Sequence, residues 1–175
     1  FDNVIKKILD KDKKAKILFI KDKNEILSKK LFERFKKNIP FKTDQITFLD
    51  QLSHEDYINR CGNSSVLLDP LYFGSGNSFH ESMFYGTPTV TLPTNNLKSR
   101  IVFGAYKQMQ IIEPPVVKSI DEYVDKALEI ANRDKKTMYD NKIFYSKCAD
   151  KHLYENQKFI LEFEKILENL YLKNI

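Results

Sequence analysis

Glycine is scarce in this 175-residue chain, which has five glycines, six prolines and no tryptophan. That scarcity excludes collagen-like and low-complexity architectures, and no internal repeat or linker interrupts the sequence. The only cysteines, Cys61 and Cys148, stand far apart, outside any CxxC or Cys/His cluster. They exclude a zinc module and a disulfide framework and point to a reducing compartment, the cytoplasm. Both read as packing residues. With three histidines and no His/Cys ligand cluster, no metal site is expected. No apolar run approaches the roughly 18–20 residues of a membrane span. The opening stretch FDNVIKKILDKDKK lacks the hydrophobic segment of a signal peptide. Because it starts on Phe1 and not on Met, the chain reads as a piece of a longer polypeptide.

What is present describes one soluble globular domain, 42% hydrophobic and 30% charged. The formal charge of +5 is unevenly placed. Residues 1–40 carry 13 Lys/Arg against 6 Asp/Glu, and the remainder 16 against 18. A basic excess confined to amphipathic segments reads as a solvated lysine face, so no nucleic-acid partner is expected.

Apolar spacing predicts helices over 2–10, 22–39, 53–61, 77–85 and 97–109, with Ser53 capping the third. Short apolar runs predict strands over 16–20, 46–49, 65–69 and 87–92, with a last edge strand at 110–112 before Pro114–Pro115. Beyond these come only helices, near 119–132 and 135–148, then a long one from Leu153 to Leu172. The stripe of this last helix (Phe159, Ile160, Phe163, Ile166, Leu167, Leu170) reads as core or domain-packing surface. Alternating short strands and helices imply right-handed crossovers and an open parallel Rossmann-like sheet, an α/β fold. The expected organisation is a single Rossmann-like domain over 1–175, with an α/β core at 1–113 and a helical extension at 114–175.

In such sheets ligands bind beyond the carboxyl ends of the strands. That rule selects residues 69–88, DPLYFGSGNSFHESMFYGTP, which hold three of the five glycines. Glycines let a backbone approach a ligand closely. Asn77 or Ser78 is placed to cap the following helix while its free N–H groups face outward, a favourable seat for phosphate. A plain strand-to-helix turn with a capped helix explains the same residues equally well. Glu81, one helical turn on, shares a face with Asn77 or Ser78. A carboxylate there can accept hydrogen bonds from a ribose diol while the loop holds the attached phosphates, and together these features describe a nucleotide site.

The stretch LLDPLYFGSGNSFHESMFYGTPTVTLPTNNLKSRIVFGAYKQM resembles the O-GlcNAc-transferase-like proteins of glycosyltransferase family 41. The shared frame is a strand ending in LD, a glycine-rich turn, an acidic residue, then GTPxVTxP and SR, and ITFLDQLSHEDYINR resembles the stretch upstream. The resemblance implies the C-terminal, donor-binding half of a two-domain GT-B glycosyltransferase acting on UDP-GlcNAc or a UDP-hexose. A protein acceptor is possible, the N-terminal half of the same polypeptide is a partner, and neither metal nor other cofactor is needed. It implies Asn77 and Ser78 at the diphosphate, Gly76 where other members carry His, and Glu81 on the ribose. It places Leu52 (through its backbone), His54 and Tyr57 at the uracil and ribose. Arg60, Ser99 and Arg100 match without defined roles. The diphosphate-binding Gln and Lys expected just upstream are absent, and the general base belongs to the other half, so no catalytic residue is assigned. A different GT-B transferase, a UDP-sugar epimerase domain and a non-catalytic nucleotide-sugar-binding module are the alternatives. His80 and His152 read as surface or structural residues, and the aromatic residues at 72–73, 79 and 84–85 as core more than as a base-stacking platform.

Overall fold

The computed structural model describes residues 1–39, 44–154 and 157–173. The chain begins with α1 (Asp2–Lys11), whose Val4, Ile5, Ile8 and Leu9 form one buried face. Strand β1 (Ile17–Ile20), helix α2 (Ile26–Asn38), strand β2 (Ile46–Leu49) and helix α3 (His54–Asn63) follow. Next come β3 (Leu67–Leu68), α4 (Asn77–Met83), β4 (Thr89–Val90) and α5 (Ile101–Gln108), the last preceded by a 3-10 turn at Leu97–Ser99. The chain then turns fully helical as α6 (Ile120–Ala131), α7 (Lys135–His152) and α8 (Gln157–Leu172). Ser53, Ser119 and Asp134 accept the amides of Asp56, Glu122 and Thr137, capping α3, α6 and α7. Each such cap contributes about 1 kcal/mol.

The sheet is smaller than the sequence pattern predicts. Instead of one continuous open sheet, the described residues form two parallel pairs. β1 pairs with β2 (Ile17 opposite Ile46) and β3 with β4 (Leu67 opposite Thr89). Both pairs share one apolar core, which Ile17, Ile46, Val90 and Val117 enter together with Val4, Ile5, Phe35, Tyr123 and Val124. The fold is thus mixed α/β and mostly helical.

The edge strand is also displaced. Gln110 takes φ 57° and Glu113 φ 55°, both left-handed. The amides of Gln110 and Ile111 turn back to the carbonyls of Lys107 and Tyr106, so residues 110–112 close α5 and do not extend. The chain reverses there and brings Val116 beside Thr91. The Thr91 amide donates to Pro115 O and the Val117 amide to Thr91 O, 3.0 Å each. A proline carbonyl is well suited to this role, because an edge position needs no N–H from it.

A second core lies between α4, α5 and α7, where Phe79, Met83, Val102, Tyr106, Met109 and Ala149 are buried. Tyr106 ties this core to β4, its hydroxyl accepting the Thr89 amide (2.8 Å) and donating to Thr89 O (3.0 Å). Helix α7 locks the turn after α4: a methyl group on Gly86 (φ 64°) would lie 1.8 Å from Lys142 O. The Lys142 ammonium closes the C-terminal end of α3 by donating to Gly62 O (2.5 Å) and Ser64 O (2.8 Å). Burial pulls its pKa down. The expected final helix passes from Leu153 through residues 155–156, which lie outside the described residues. Within α8 no residue is buried, and its apolar stripe, expected as core or domain-packing surface, is exposed in this chain. Several of the early basic residues are ion-paired, among them Lys7 with Asp121, Lys11 with Asp125, Lys21 with Asp50 and Arg34 with Asp2.

Candidate functional site

The site forms where the loops after β2 and β3 launch α3 and α4 side by side. Its foundation is Asp69, the last residue before the glycine loop and almost fully buried. One carboxylate oxygen accepts the Ser75 amide (2.6 Å) and the other the Thr91 hydroxyl (2.6 Å). Its own carbonyl accepts the Tyr123 hydroxyl (3.0 Å). Burial pushes the Asp69 carboxyl above its ordinary value, against the lowering effect of Thr91 and Ser75. The acid thus bolts the loop to β4.

The two loop glycines have different reasons for being there. The Gly74 amide donates to Lys98 O (2.8 Å), and a methyl group at 74 would crowd that carbonyl (3.1 Å) and the Asp69 carboxylate (3.3 Å). Gly74 is required by this close passage of two loops. Around Gly76 nothing lies within 4 Å of the position a methyl would take. No contact inside the chain demands glycine there.

Gly76 itself is the N-cap of α4, and no side chain caps that helix. This corrects the expectation that Asn77 or Ser78 caps it, since both are already helical. The Gly76 carbonyl accepts the amides of Phe79 (3.0 Å) and His80 (3.3 Å) and approaches His80 Nδ1 (3.1 Å). The amides of Asn77 and Ser78 have no acceptor among the described residues, as is usual for amides at a helix start.

Helix α3 supplies the facing wall. Half-buried Tyr57 lies beside Ser78 and the buried Cys61 thiol and within the field of Glu81. Burial raises the Tyr57 phenol and the Cys61 thiol, with the Ser78 hydrogen bond pulling Tyr57 the other way. His54 Nε2 stands 4.0 Å from Glu81 Oε1, the histidine 70% and the glutamate 31% exposed. From that pair an open groove of about 570 Å³ runs between α3 and α4, past Ile58, His80, Phe84 and Tyr85 to Tyr154. The Tyr154 hydroxyl donates to His80 O at 2.5 Å.

The structure therefore gathers His54, Tyr57, Ser78 and Glu81 in one place, next to Gly76 and Asn77. Leu52 is half-buried in the loop before α3. Ser99 and Arg100, undefined in the sequence, hold the loop after β4. The Ser99 hydroxyl accepts the Thr94 amide (3.0 Å), and Arg100 donates to Thr94 O (2.9 Å). Sequence reasoning missed the role of Asp69. Its signal is an acid closing an apolar strand, where only a hydrogen-bonded carboxylate is tolerated. Among the described residues no group of three or more His, Cys, Asp or Glu can hold a metal ion, and no helix is long and apolar enough to cross a membrane.

No family profile and no curated protein matches this chain. Among solved structures it is similar to a point mutant of the O-GlcNAc transferase of Thermobaculum terrenum, at a TM-score of 0.82 and 20% sequence identity. The match covers 97% of this chain and 33% of that protein, so the chain spans about a third of its length. The likeness is one of fold: the mixed α/β chain is similar to part of that transferase.

Proposed function

We propose that this chain is the donor-binding half of an inverting GT-B glycosyltransferase, one that holds UDP-GlcNAc or a UDP-hexose and passes the sugar to a protein acceptor. The observation that carries this reading is the meeting of His54, Tyr57, Ser78 and Glu81 beside the unpartnered amides of Asn77 and Ser78. The likeness in fold to a glycosyltransferase supports it. In this reading the backbone at Gly76, Asn77 and Ser78 meets the diphosphate, where only glycine at 76 lets a phosphate oxygen come close. Glu81 accepts the ribose diol, and His54, Tyr57 and the Leu52 backbone hold the uracil end. Amide dipoles stabilise the departing UDP with no metal required. The attacking hydroxyl belongs to the acceptor, and the base that takes its proton is supplied by an N-terminal half of the same polypeptide. Two free cysteines suit a cytoplasmic setting.

Calorimetric titration with UDP tests the reading. The chain is expected to bind UDP in preference to CDP or ADP, and Glu81→Ala to weaken it about tenfold, the worth of a hydrogen bond to a charged group. A chain that takes up no UDP, or takes up all three alike, refutes it. Transfer from radiolabelled UDP-sugars by the parent polypeptide identifies the donor.

A further inference from the structure

The candidate donor site is short of positive charge on its glycine-loop side. A nucleoside diphosphate carries several negative charges, backbone amides are neutral, and both Asp69 and Glu81 add negative charge nearby. Arg100, on the neighbouring loop, has its guanidinium committed to Thr94 O and stacked 5.1 Å from the centre of the Phe103 ring. His54 faces Glu81.

Lys98 is placed differently. Its carbonyl accepts the Gly74 amide (2.8 Å) and its amide donates to Asn96 Oδ1 (3.1 Å), while the next residue, Ser99, is buried. The backbone at 98 is therefore fixed against the glycine loop, two residues before Gly76. The side chain is exposed, and its ammonium has no acceptor or carboxylate partner among the described residues. It lies 5.8 Å from the centre of the ring of Phe73, itself 66% exposed on the same loop. At an exposed site such a contact is weak, enough to bias the stem along the loop without immobilising the head. A compact point charge on a flexible stem, anchored at a rigid base, suits a phosphate.

We propose that Lys98 is a diphosphate-binding residue that supplies cationic charge to the donor from the loop after β4. This inference rests on the donor-site reading above. It is tested by calorimetry of UDP and of uridine with the unchanged chain, Lys98→Met and Lys98→Arg, each checked for an unchanged thermal midpoint. Lys98→Met is expected to weaken UDP about five- to tenfold and uridine less than about twofold, and Lys98→Arg to keep most of the UDP affinity. Raising the salt should narrow the gap between the unchanged chain and Lys98→Met for UDP. If UDP binds and Lys98→Met leaves its affinity within about twofold, or weakens uridine as much as UDP, the inference falls and the donor site stands. If the unchanged chain binds neither compound, both fall.

Discussion

Replacing Asp69 by Ala should strongly destabilise the fold. The substitution strands two donors, the Ser75 amide and the fully buried Thr91 hydroxyl, each bonded to the carboxylate at 2.6 Å. Each stranded group costs roughly 1–3 kcal/mol, and release of a desolvated charge returns part of the sum. The net loss is about 2–4 kcal/mol, or about 4–16 °C in thermal midpoint for a chain of this size. Urea unfolding is the assay, and a lower midpoint at unchanged slope is the expected result. Asp69→Asn keeps an acceptor for Ser75 and should lose much less. It also isolates the pH term. Because the folded pKa of Asp69 is raised, its contribution is fully present below the ordinary Asp range and is lost as pH rises through the folded value. Stability relative to Asp69→Asn should accordingly fall across that window and stay flat above it. A loss under about 0.5 kcal/mol for Asp69→Ala, within the range of an ordinary surface change, would refute the view of Asp69 as the bolt of the loop.

The glycines of this region separate fold from function. Gly86→Ala meets Lys142 O at 1.8 Å in a left-handed conformation and should cost about 3 kcal/mol or leave the protein unfolded, which circular dichroism reads directly. Gly76→Ala meets nothing within 4 Å, so its unfolding midpoint should hold while UDP affinity drops about fivefold or more. Lys142→Met leaves the carbonyls of Gly62 and Ser64 without their ammonium donor and should lower stability by about 1–2 kcal/mol in the same unfolding assay.

The legible part of the fold was its helices, because their apolar spacing, and the Ser53 cap of α3, are local. The edge of the sheet was not. Gln-Ile-Ile at 110–112 has strand composition, but a left-handed Gln110 turns it into the close of α5, and only tertiary contact decides that. The site divides in the same way. Spacing around the glycine loop selected Ser78 and Glu81, and the resemblance alone selected His54 and Tyr57; all four lie on α3 or α4, whose apolar periodicity is local. Asp69 and Lys98 act across the fold, Asp69 on Thr91 and Lys98 on Gly74, and no local pattern joins positions more than twenty residues apart. Gly74 shows the difference most clearly. On its own it looks like one more loop glycine, interchangeable with Gly76. In the fold it is the point where two loops pass at backbone contact, and its neighbour two residues on has no such excuse. An added methyl meets no atom at 76 and a carbonyl at 74, so the position to substitute first in a binding assay is 76 and the position to leave intact is 74.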